Sequence, residues 1–351
     1  MKNDIYFRDQ LNTRHNEISA HIGFSPSCYE KYGVDLITKI VTENSDVFPN
    51  HENIINDAKR KTYAPWQTAG RSYFDSWGVE WRTSVNGITG AAIKPSIGSW
   101  DDFEKFIPPN PEFQNGWGEM DWPGVEKVFA GKTKAGGKAI TGGLRHGFLF
   151  LTLTYIRGFE NLVYDMYDDE PKLAALIDMV YEFNKYFVDR YLALGADIFS
   201  FPEDLGSQTG PLIAPDKFRK YLKPVYLKLM RPVKDKNKTI YMHSDGLILD
   251  LIDDLIESGV DIINLQDLVN GIDNIKKHVK GRMGIALDID RQRITVFGSV
   301  KDIDDHIKEA VMKLGDNELG FSMFHQVYQE TPVENIYALA DAYRKYREYY
   351  C

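Results

Sequence analysis

The chain has 351 residues and a mass of 40.2 kDa, and its 42 Lys and Arg against 51 Asp and Glu give a formal net charge of −9. This acidic balance argues against nonspecific binding to nucleic acid or to an anionic membrane surface. With no apolar run long enough to cross a bilayer and no apolar signal core at the N-terminus, the sequence predicts a cytoplasmic protein. The only cysteines are Cys28 and Cys351, which excludes a disulfide framework and a cysteine-rich structural zinc site.

The first third of the chain is irregular in pattern. A strand is predicted over residues 17–24. Further along, Asn86-Gly87 is typical of a β-hairpin turn, with strands predicted at 79–82 and 88–89. Residues 98–124 are rich in Pro, Gly, Asp and Trp, which predicts a surface excursion.

Strands and helices alternate through the rest of the chain. Strands are predicted at 138–142, 196–201, 238–243, 260–265, 282–287 and 319–324. Helices are predicted at 215–229, 247–258, 272–279, 300–314 and 332–347. This alternation indicates a parallel sheet with helices outside it.

Two architectures share that alternation, a doubly wound sheet and a (β/α)8 barrel. No Gly-x-Gly-x-x-Gly sequence follows the first strand, which favours the barrel over a dinucleotide-binding fold. We therefore predict an α/β fold of the (β/α)8 TIM-barrel class, with an elaborated N-terminal third that contains extra helices and a β-hairpin. The prediction is a single domain over 1–351, with 27–135 as an irregular excursion within it and seven of the eight barrel strands located.

Polar residues follow the ends of five successive predicted strands. Because active sites of barrel enzymes lie at the C-terminal ends of the strands, these residues are candidates for a site. Some of the carboxylates precede helices and are explained as helix caps, namely Asp245, Asp267 and Asp290. Caps do not explain Glu203, His243 and His325, which are therefore the candidate catalytic residues.

Four other residues are candidates for substrate binding. Gln208 and Gln266 could hydrogen-bond substrate oxygens, although structural hydrogen bonds explain them equally well. Arg145, followed by His146, could meet a substrate carboxylate, and a surface position is the alternative. Tyr155 could wall an aromatic pocket, and a core position is the alternative.

Several of these motifs resemble the uroporphyrinogen decarboxylase superfamily, which contains the decarboxylase and the corrinoid-dependent methyltransferases. The resemblance extends over roughly residues 180–347. It rests on the order and spacing of the motifs that begin at Gly195, Glu203, His243, Gly259 and Glu330. The resemblance implies a (β/α)8 barrel, in agreement with the pattern of strands and helices.

The decarboxylase branch fits this chain poorly. Its members carry Arg-Gln-Ala-Gly-Arg-Tyr, whose arginines bind the porphyrinogen carboxylates. The nearest string here begins at Trp66-Gln67 and reaches Arg71 only after an extra residue. A chain of net charge −9 with one arginine in this string is a poor partner for a substrate with many carboxylates.

The methyltransferase branch fits better and implies a metal site. Its members carry His-x-Cys-Gly where this chain has His243-Ser244-Asp245-Gly246, and in the thiol-methylating members that Cys and a later Cys bind zinc. Here Asp245 and His325 stand near those positions, and neither cysteine of the chain can fill them. Since zinc accepts carboxylate and imidazole ligands, we predict a zinc site formed by Glu203, His243, Asp245 and His325.

The resemblance implies transfer of a methyl group from a small methylated substrate to cobalamin. An aryl methyl ether is the best candidate, which makes the protein the demethylase component of an O-demethylation system in anaerobic one-carbon metabolism. The chain lacks the Asp-x-His-x-x-Gly motif of the cobalamin carrier, so a separate corrinoid protein is the expected partner. Decarboxylation, methylcobalamin:thiol transfer and a non-catalytic binding barrel remain alternatives, and a homodimer is left open.

Overall fold

The structure is a computed structural model that describes residues 6–7, 17–61, 63–134 and 139–349. The chain divides into two compact units. The first unit comprises Met1–Ser72, Arg82–Ala91 and Gln266–Cys351. The second unit comprises Tyr73–Trp81 and Ala92–Leu265.

The described residues contain ten strands. They are β1 (Ser19–Phe24), β2 (Ser72–Phe74), β3 (Glu80–Arg82), β4 (Ala91–Lys94), β5 (Thr141–Gly143), β6 (Ile198–Asp204), β7 (Thr239–Asp245), β8 (Ile262–Gln266), β9 (Gly284–Asp288) and β10 (Phe321–Val327). Strands β2, β3 and β4 form a small sheet in that order.

Helices fill most of the connections. They are α1 (Cys28–Glu43), α2 (His51–Arg60), α3 (Trp100–Phe103), α4 (Trp122–Lys134), α5 (Phe150–Arg157), α6 (Phe159–Tyr167), α7 (Leu173–Ala193), α8 (Pro215–Lys217), α9 (Lys223–Asp235), α10 (Ile252–Ser258), α11 (Asp267–Asn270), α12 (Ile272–His278), α13 (Ile294–Phe297), α14 (Val300–Leu314) and α15 (Val333–Tyr346). A π-helical turn, Phe218–Leu222, joins α8 to α9, and short 3-10 turns occupy Pro65–Gln67 and Leu249–Leu251. Within the described part of the chain, no helix is both long enough and apolar enough to cross a membrane.

The second unit is built around strands β5 to β8. Each strand pairs in parallel with the next, β5 with β6, β6 with β7 and β7 with β8. Helices α5 to α7 separate β5 from β6 in the chain, α8 and α9 separate β6 from β7, and α10 separates β7 from β8. Strands β6 and β7 alternate between fully and partly buried residues along most of their length, with Phe201, Ile240 and Met242 in the core.

The first unit contains strands β1, β10 and β9. Strand β10 pairs in parallel with β1 and with β9. The helices that follow these strands bury apolar faces, as shown by Ile307 of α14 and Leu339 of α15. Helix α14 begins where predicted because Ser299 and Asp302 form a capping box at its N-terminus.

The predicted fold class is confirmed, since the chain is an α/β protein with parallel strands alternating with helices. All seven predicted barrel strands are present as β1 and β5 to β10, with ends shifted by a few residues. Lys138, the predicted start of β5, lies outside the described residues. Helices α1 to α4 and the small sheet confirm the elaborated N-terminal third.

One local prediction was partly wrong. Strands β3 and β4 are neighbours in the small sheet and Asn86-Gly87 lies in the turn region between them, but residues 88–89 are not a strand. The connecting residues instead hydrogen-bond to an earlier segment of the chain, because the backbone N–H groups of Gly87 and Gly90 donate to the carbonyl groups of Gln67 and Trp66. The connection is longer than predicted, and β4 starts only at Ala91.

The predicted surface excursion at 98–124 is only partly exposed. Ile107 and Phe113 are exposed, in agreement with the prediction. In contrast, Trp122 is buried, and Gly116 accepts a hydrogen bond from Arg145 through its carbonyl oxygen. Aromatic packing inside the second unit therefore draws part of this segment into the core.

Candidate active site

The parallel pairing of strands β6, β7 and β8 brings several polar side chains together in the second unit. The register pairs Asp204 with Asp245 and His243 with Asn264. Because residues two apart on a strand share a face, His243 and Asp245 point to the same side of β7. The intervening Ser244 is fully buried on the other side, where its hydroxyl accepts the N–H of Leu205.

A cluster of three side chains lies at these strand ends, consisting of His146, Asp204 and His243, and is called the histidine–aspartate cluster below. Asp204 Oδ1 lies 3.3 Å from His146 Nε2 and 3.5 Å from His243 Nε2. The three ligand atoms all lie within 4.8 Å of one another. Asp245 Oδ1 lies 3.6 Å from the same His243 nitrogen. One carboxylate oxygen therefore faces two imidazole nitrogens, with a second carboxylate beside them.

Asn264 determines which nitrogen of the neutral His243 ring carries the proton. His243 Nδ1 lies 2.7 Å from Asn264 Oδ1, an oxygen that can only accept a hydrogen bond. The proton of the neutral ring is thus assigned to Nδ1, which leaves the Nε2 lone pair directed at the cluster. This is the arrangement in which histidine binds a metal ion.

Asp204 carries negative charge in this setting. Burial opposes its ionisation, but the hydrogen bonds and charge that the His146 and His243 rings supply in their protonated form outweigh burial and hold the pKa of Asp204 far below its usual range. A bound metal ion would take the place of the protons on the nitrogens that face Asp204. Asp204 also accepts the backbone N–H of Asp245 at 3.1 Å. The cluster therefore has an anionic oxygen at its centre.

The loops that follow β6 and β7 pack backbone against backbone. A side-chain carbon at Gly246 would lie 2.1 Å from the Gly206 carbonyl carbon, and the φ of Gly246 is +83°. Only glycine fits such a contact and such a conformation. The glycine of the His243-Ser244-Asp245-Gly246 motif thus holds the two loops together beside Asp204 and Asp245.

The cluster fits a divalent transition metal ion by its donors and by its spacing. A tetrahedral zinc ion with bonds of about 2.0–2.1 Å separates its ligand atoms by about 3.3 Å. The observed separations of 3.3 and 3.5 Å around Asp204 Oδ1 match that value. Imidazole and carboxylate are both ordinary zinc ligands, so His146, Asp204 and His243 would hold such an ion.

Glu203 lies beside the cluster in sequence but points elsewhere. Its side chain is 0% exposed, and its carboxylate accepts backbone N–H groups of Leu149, Phe150 and Leu151 at 3.0, 2.7 and 3.1 Å. Burial raises the pKa of Glu203 to about 7, although the three donors act in the opposite direction. The carboxylate thus serves the N-terminus of α5 and is not a member of the cluster.

The Arg145 side chain makes structural contacts inside the second unit. Its side chain is 4% exposed, and its guanidinium pairs with Asp75 at 2.9 Å and donates to Gly116 O at 2.7 Å. The guanidinium also lies 4.0 Å from the ring centre of Trp117. Burial lowers the pKa of Arg145, which Asp75 counteracts. Its predicted role in substrate binding stays a prediction.

The other predicted substrate residues differ in their surroundings. Tyr155 is half-buried with its ring packed edge-on against Trp81, and burial together with the nearby charge of Asp204 raises its pKa. Gln208 is exposed in the loop after β6. Gln266 belongs to the first unit and precedes α11, where its carbonyl oxygen accepts a hydrogen bond from Asn270.

His325, predicted as a metal ligand, lies at the end of β10 in the first unit. It is fully buried, and its Nδ1 lies 3.1 Å from Ile289 O. Burial lowers the pKa of His325 to about 4, so the ring is neutral at physiological pH. His325 is not a member of the histidine–aspartate cluster found among the described residues.

Cys28 does not have the features of a metal ligand. Cys28 is buried in the first unit, its thiol donates to Val327 O, and burial raises its pKa to about 12. Cys351 lies outside the described residues.

A cavity of about 740 Å³ lies elsewhere in the second unit. Aromatic side chains form part of its walls, among them Phe129, Phe183, Phe187 and Tyr191. Arg145 also lines it, while the next residue, His146, belongs to the cluster.

In the sequence, His146 was named only together with Arg145, as a residue that could meet a substrate, and was not predicted as a metal ligand. The residue follows the short strand β5, 58 positions before Asp204 by their residue numbers, and no spacing motif links the two. Asp204, which adjoins Glu203, was not among the residues predicted for the site. A histidine just after a barrel strand is a signal of the same kind as the one that identified His243.

Comparison with known proteins supports a family assignment. The model of the family described as uroporphyrinogen decarboxylase (URO-D) matches residues 130–346. A solved methyltransferase from Methanosarcina mazei is similar over 98% of this chain and 98% of its own, with 14% identity and a TM-score of 0.61, a likeness of fold. A B12-independent methionine synthase from Shewanella sp. W3-18-1 covers 65% of this chain and 68% of its own, with 12% identity. Its TM-score of 0.40 is too low to bear on fold or function. A comparison with curated proteins gives no significant match.

Proposed function

The chain belongs to the uroporphyrinogen decarboxylase (URO-D) family, and we propose that it is a methyltransferase that removes the methyl group of a small aryl methyl ether. The acceptor in this proposal is the cobalamin of a separate corrinoid protein. The observation that carries the proposal is the histidine–aspartate cluster, whose three donor atoms lie within 4.8 Å of one another and whose two imidazole nitrogens lie 3.3 and 3.5 Å from Asp204 Oδ1.

The proposed reaction moves one methyl group and balances its electrons. The bond between the ether oxygen and the methyl carbon breaks, and the oxygen keeps the electron pair and takes up a proton. The methyl carbon goes to the reduced cobalt of the acceptor, which supplies the electron pair of the new bond. The enzyme therefore has to stabilise charge on a departing oxygen and does not need a nucleophile of its own.

The cluster residues suit that task. His146, Asp204 and His243 would hold the ion, and Asp245 would stand beside it, 3.6 Å from His243 Nε2. A zinc ion bound there would act as a Lewis acid that stabilises the negative charge developing on the oxygen. Asn264 keeps the Nδ1 proton of His243 in place, so that Nε2 remains available.

Decarboxylation of a porphyrinogen is less compatible with this arrangement. The strand ends that carry the cluster offer two carboxylates, Asp204 and Asp245, and a substrate with many carboxylates would be repelled by them. Arg145, the arginine next to the cluster in sequence, is already paired with Asp75. Thiol methylation is disfavoured as well, because no thiolate belongs to the cluster.

A methyl-transfer assay tests the proposal. The purified protein is incubated with cobalamin reduced to the Co(I) state, or with a reduced corrinoid protein, and a panel of methoxyphenols. We expect methylcobalamin and the matching phenol to form in equal amounts. The His243→Ala variant should lose about 10³-fold in rate, since Lewis-acid stabilisation is worth several kcal/mol.

A matched control removes a histidine outside the cluster. His278 lies at the end of α12, and His278→Ala should retain the activity of the unaltered protein. Release of carbon dioxide from uroporphyrinogen, with no demethylation, would establish the decarboxylase instead. Absence of both reactions would favour a binding barrel without catalytic activity.

A further inference from the structure

Glu203 joins two parts of the second unit that are far apart in sequence. Helix α5 begins at Phe150, and its N-cap residue, Leu149, makes no side-chain cap hydrogen bond. The first N–H groups of a helix have no partner within the helix and need acceptors from elsewhere. The Glu203 carboxylate supplies them, with Oε2 accepting from Leu149 and Phe150 and Oε1 accepting from Leu151.

The loop before α5 is held to the same stretch of β6 by further hydrogen bonds. The N–H of Gly147 donates to Pro202 O at 2.9 Å. From the other side, Asn184 Nδ2 donates to the carbonyl oxygen of Phe148 at 2.5 Å. Residues 147–151 are therefore fixed relative to Pro202 and Glu203.

His146 is the residue just before this fixed segment. Its side chain is 45% exposed, so packing alone does not hold the ring in place. Its Nε2 nevertheless lies 3.3 Å from Asp204, the residue directly after Glu203. Because neighbouring strand residues point to opposite faces, Glu203 anchors the loop on one side of β6 while Asp204 meets His146 on the other.

We propose that Glu203 is the positioning residue of the site, which fixes the loop of His146 so that this histidine reaches Asp204 and His243. The inference rests on the proposed function, because it concerns the same three ligands. It gives Glu203 a role through His146 rather than direct contact with metal or substrate. Loss of the carboxylate would leave three buried N–H groups without an acceptor, and the loop would move away from β6.

The test is the zinc affinity of the full-length protein. Glu203→Gln keeps the size of the side chain but places an NH₂ group against N–H donors. We expect zinc binding to weaken about 10- to 100-fold, the effect typical of residues that orient metal ligands. His146→Ala should weaken zinc binding at least as much, and the double variant should be no weaker than His146→Ala alone.

This double-variant comparison separates positioning from general stability. Asp254→Asn provides the control, since Asp254 is a buried carboxylate of α10 paired with Arg219 and Lys223. It should lower the melting temperature without changing zinc affinity. If Glu203→Gln behaves like this control, or if its effect adds fully to that of His146→Ala, the inference is wrong.

Two further measurements cover the remaining outcomes. If Glu203→Gln does not fold, Glu203→Asp keeps the charge with a shorter reach and should give a smaller loss of zinc affinity; unchanged affinity would overturn the inference. If the unaltered protein binds no zinc, the proposed function fails, and nitrogen NMR of the metal-free protein decides the role of Glu203. The His146 ring signals should then shift in the Glu203 variant and not in Asp254→Asn, and unchanged signals would overturn the inference.

Discussion

Each of the two units contains histidine side chains close to an aspartate. The two arrangements differ in the distance between imidazole nitrogen and carboxylate oxygen and in access to solvent. In the first unit, His306 Nε2 lies 2.6 Å from Asp267 Oδ2, and the side chains are 6% and 0% exposed. The Asp267 carboxylate also accepts hydrogen bonds from the backbone N–H groups of Leu268 and Asp290. In the second unit, Asp204 faces two imidazoles at 3.3 and 3.5 Å, and all three side chains are partly exposed.

The difference shows why residue type alone does not identify a metal site. A separation of 2.6 Å between His306 and Asp267 leaves no room for an ion, because two zinc ligands stand about 3.3 Å apart. The buried pair is thus a structural contact. The histidine–aspartate cluster is wider and partly solvent-accessible, and its separations of 3.3 and 3.5 Å match those of zinc ligands. The following predictions test this contrast, from the largest expected effect to the smallest.

Removal of the histidine should have opposite consequences in the two units. His306→Gln leaves the charge of the buried Asp267 uncompensated, with at most a neutral amide donor beside it, and should lower the free energy of unfolding by about 3–5 kcal/mol, with zinc affinity unchanged. His243→Ala should abolish tight zinc binding with little loss of stability, because His243 lies at a partly exposed strand end. Urea unfolding and a zinc titration of both variants measure the two effects. Equal loss of zinc affinity in both variants would contradict the distinction between a structural pair in the first unit and a metal site in the second.

The amide that orients His243 should matter for metal binding. Asn264→Ala removes the acceptor for Nδ1–H, and we expect zinc affinity to fall about 10- to 100-fold. Asn264→Asp keeps an acceptor oxygen at the same place and serves as the matched control. Competition titration with a chelating dye measures both dissociation constants. An alanine variant with unaltered affinity would show that Asn264 does not orient the ring.

The buried pair of His306 and Asp267 should also make the free energy of unfolding depend on pH. Burial disfavours the charge of His306, but its hydrogen bond to Asp267 outweighs burial, and the pKa of His306 is raised above 6.5. The stabilisation is therefore complete below the unfolded value and is lost as the pH rises through the raised pKa. The stability difference between the unaltered protein and His306→Gln should narrow as the pH rises above about 6.5. A constant difference over that range would contradict the assignment.

Much of the fold was predictable because local patterns determine it. The apolar runs that became β6 to β10 and the capping box at Ser299 depend on neighbours in sequence. The turn at Asn86-Gly87 was less predictable, since the carbonyl groups that extend it belong to Trp66 and Gln67.

The site was less predictable for the same reason. His243 was identified because it ends a strand, and its place beside Asp204 follows from the pairing of β6 with β7. His146 and Glu203 depend on contacts between distant segments. Glu203 resembled a catalytic residue since no helix follows it directly, yet the helix that it caps begins more than 50 positions earlier in the chain. Such a contact leaves no trace in local sequence.

X-ray absorption at the zinc edge, on protein loaded with one equivalent of zinc, tests the central claim most directly. We predict nitrogen and oxygen ligands at about 2.0–2.1 Å, with the scattering of two imidazoles and no sulfur at about 2.3 Å. The imidazole signal should fall by one ring in His146→Ala and stay unchanged in His325→Ala. Absence of bound zinc, or a spectrum unaffected by His146→Ala, would contradict the assignment of the histidine–aspartate cluster as the metal site.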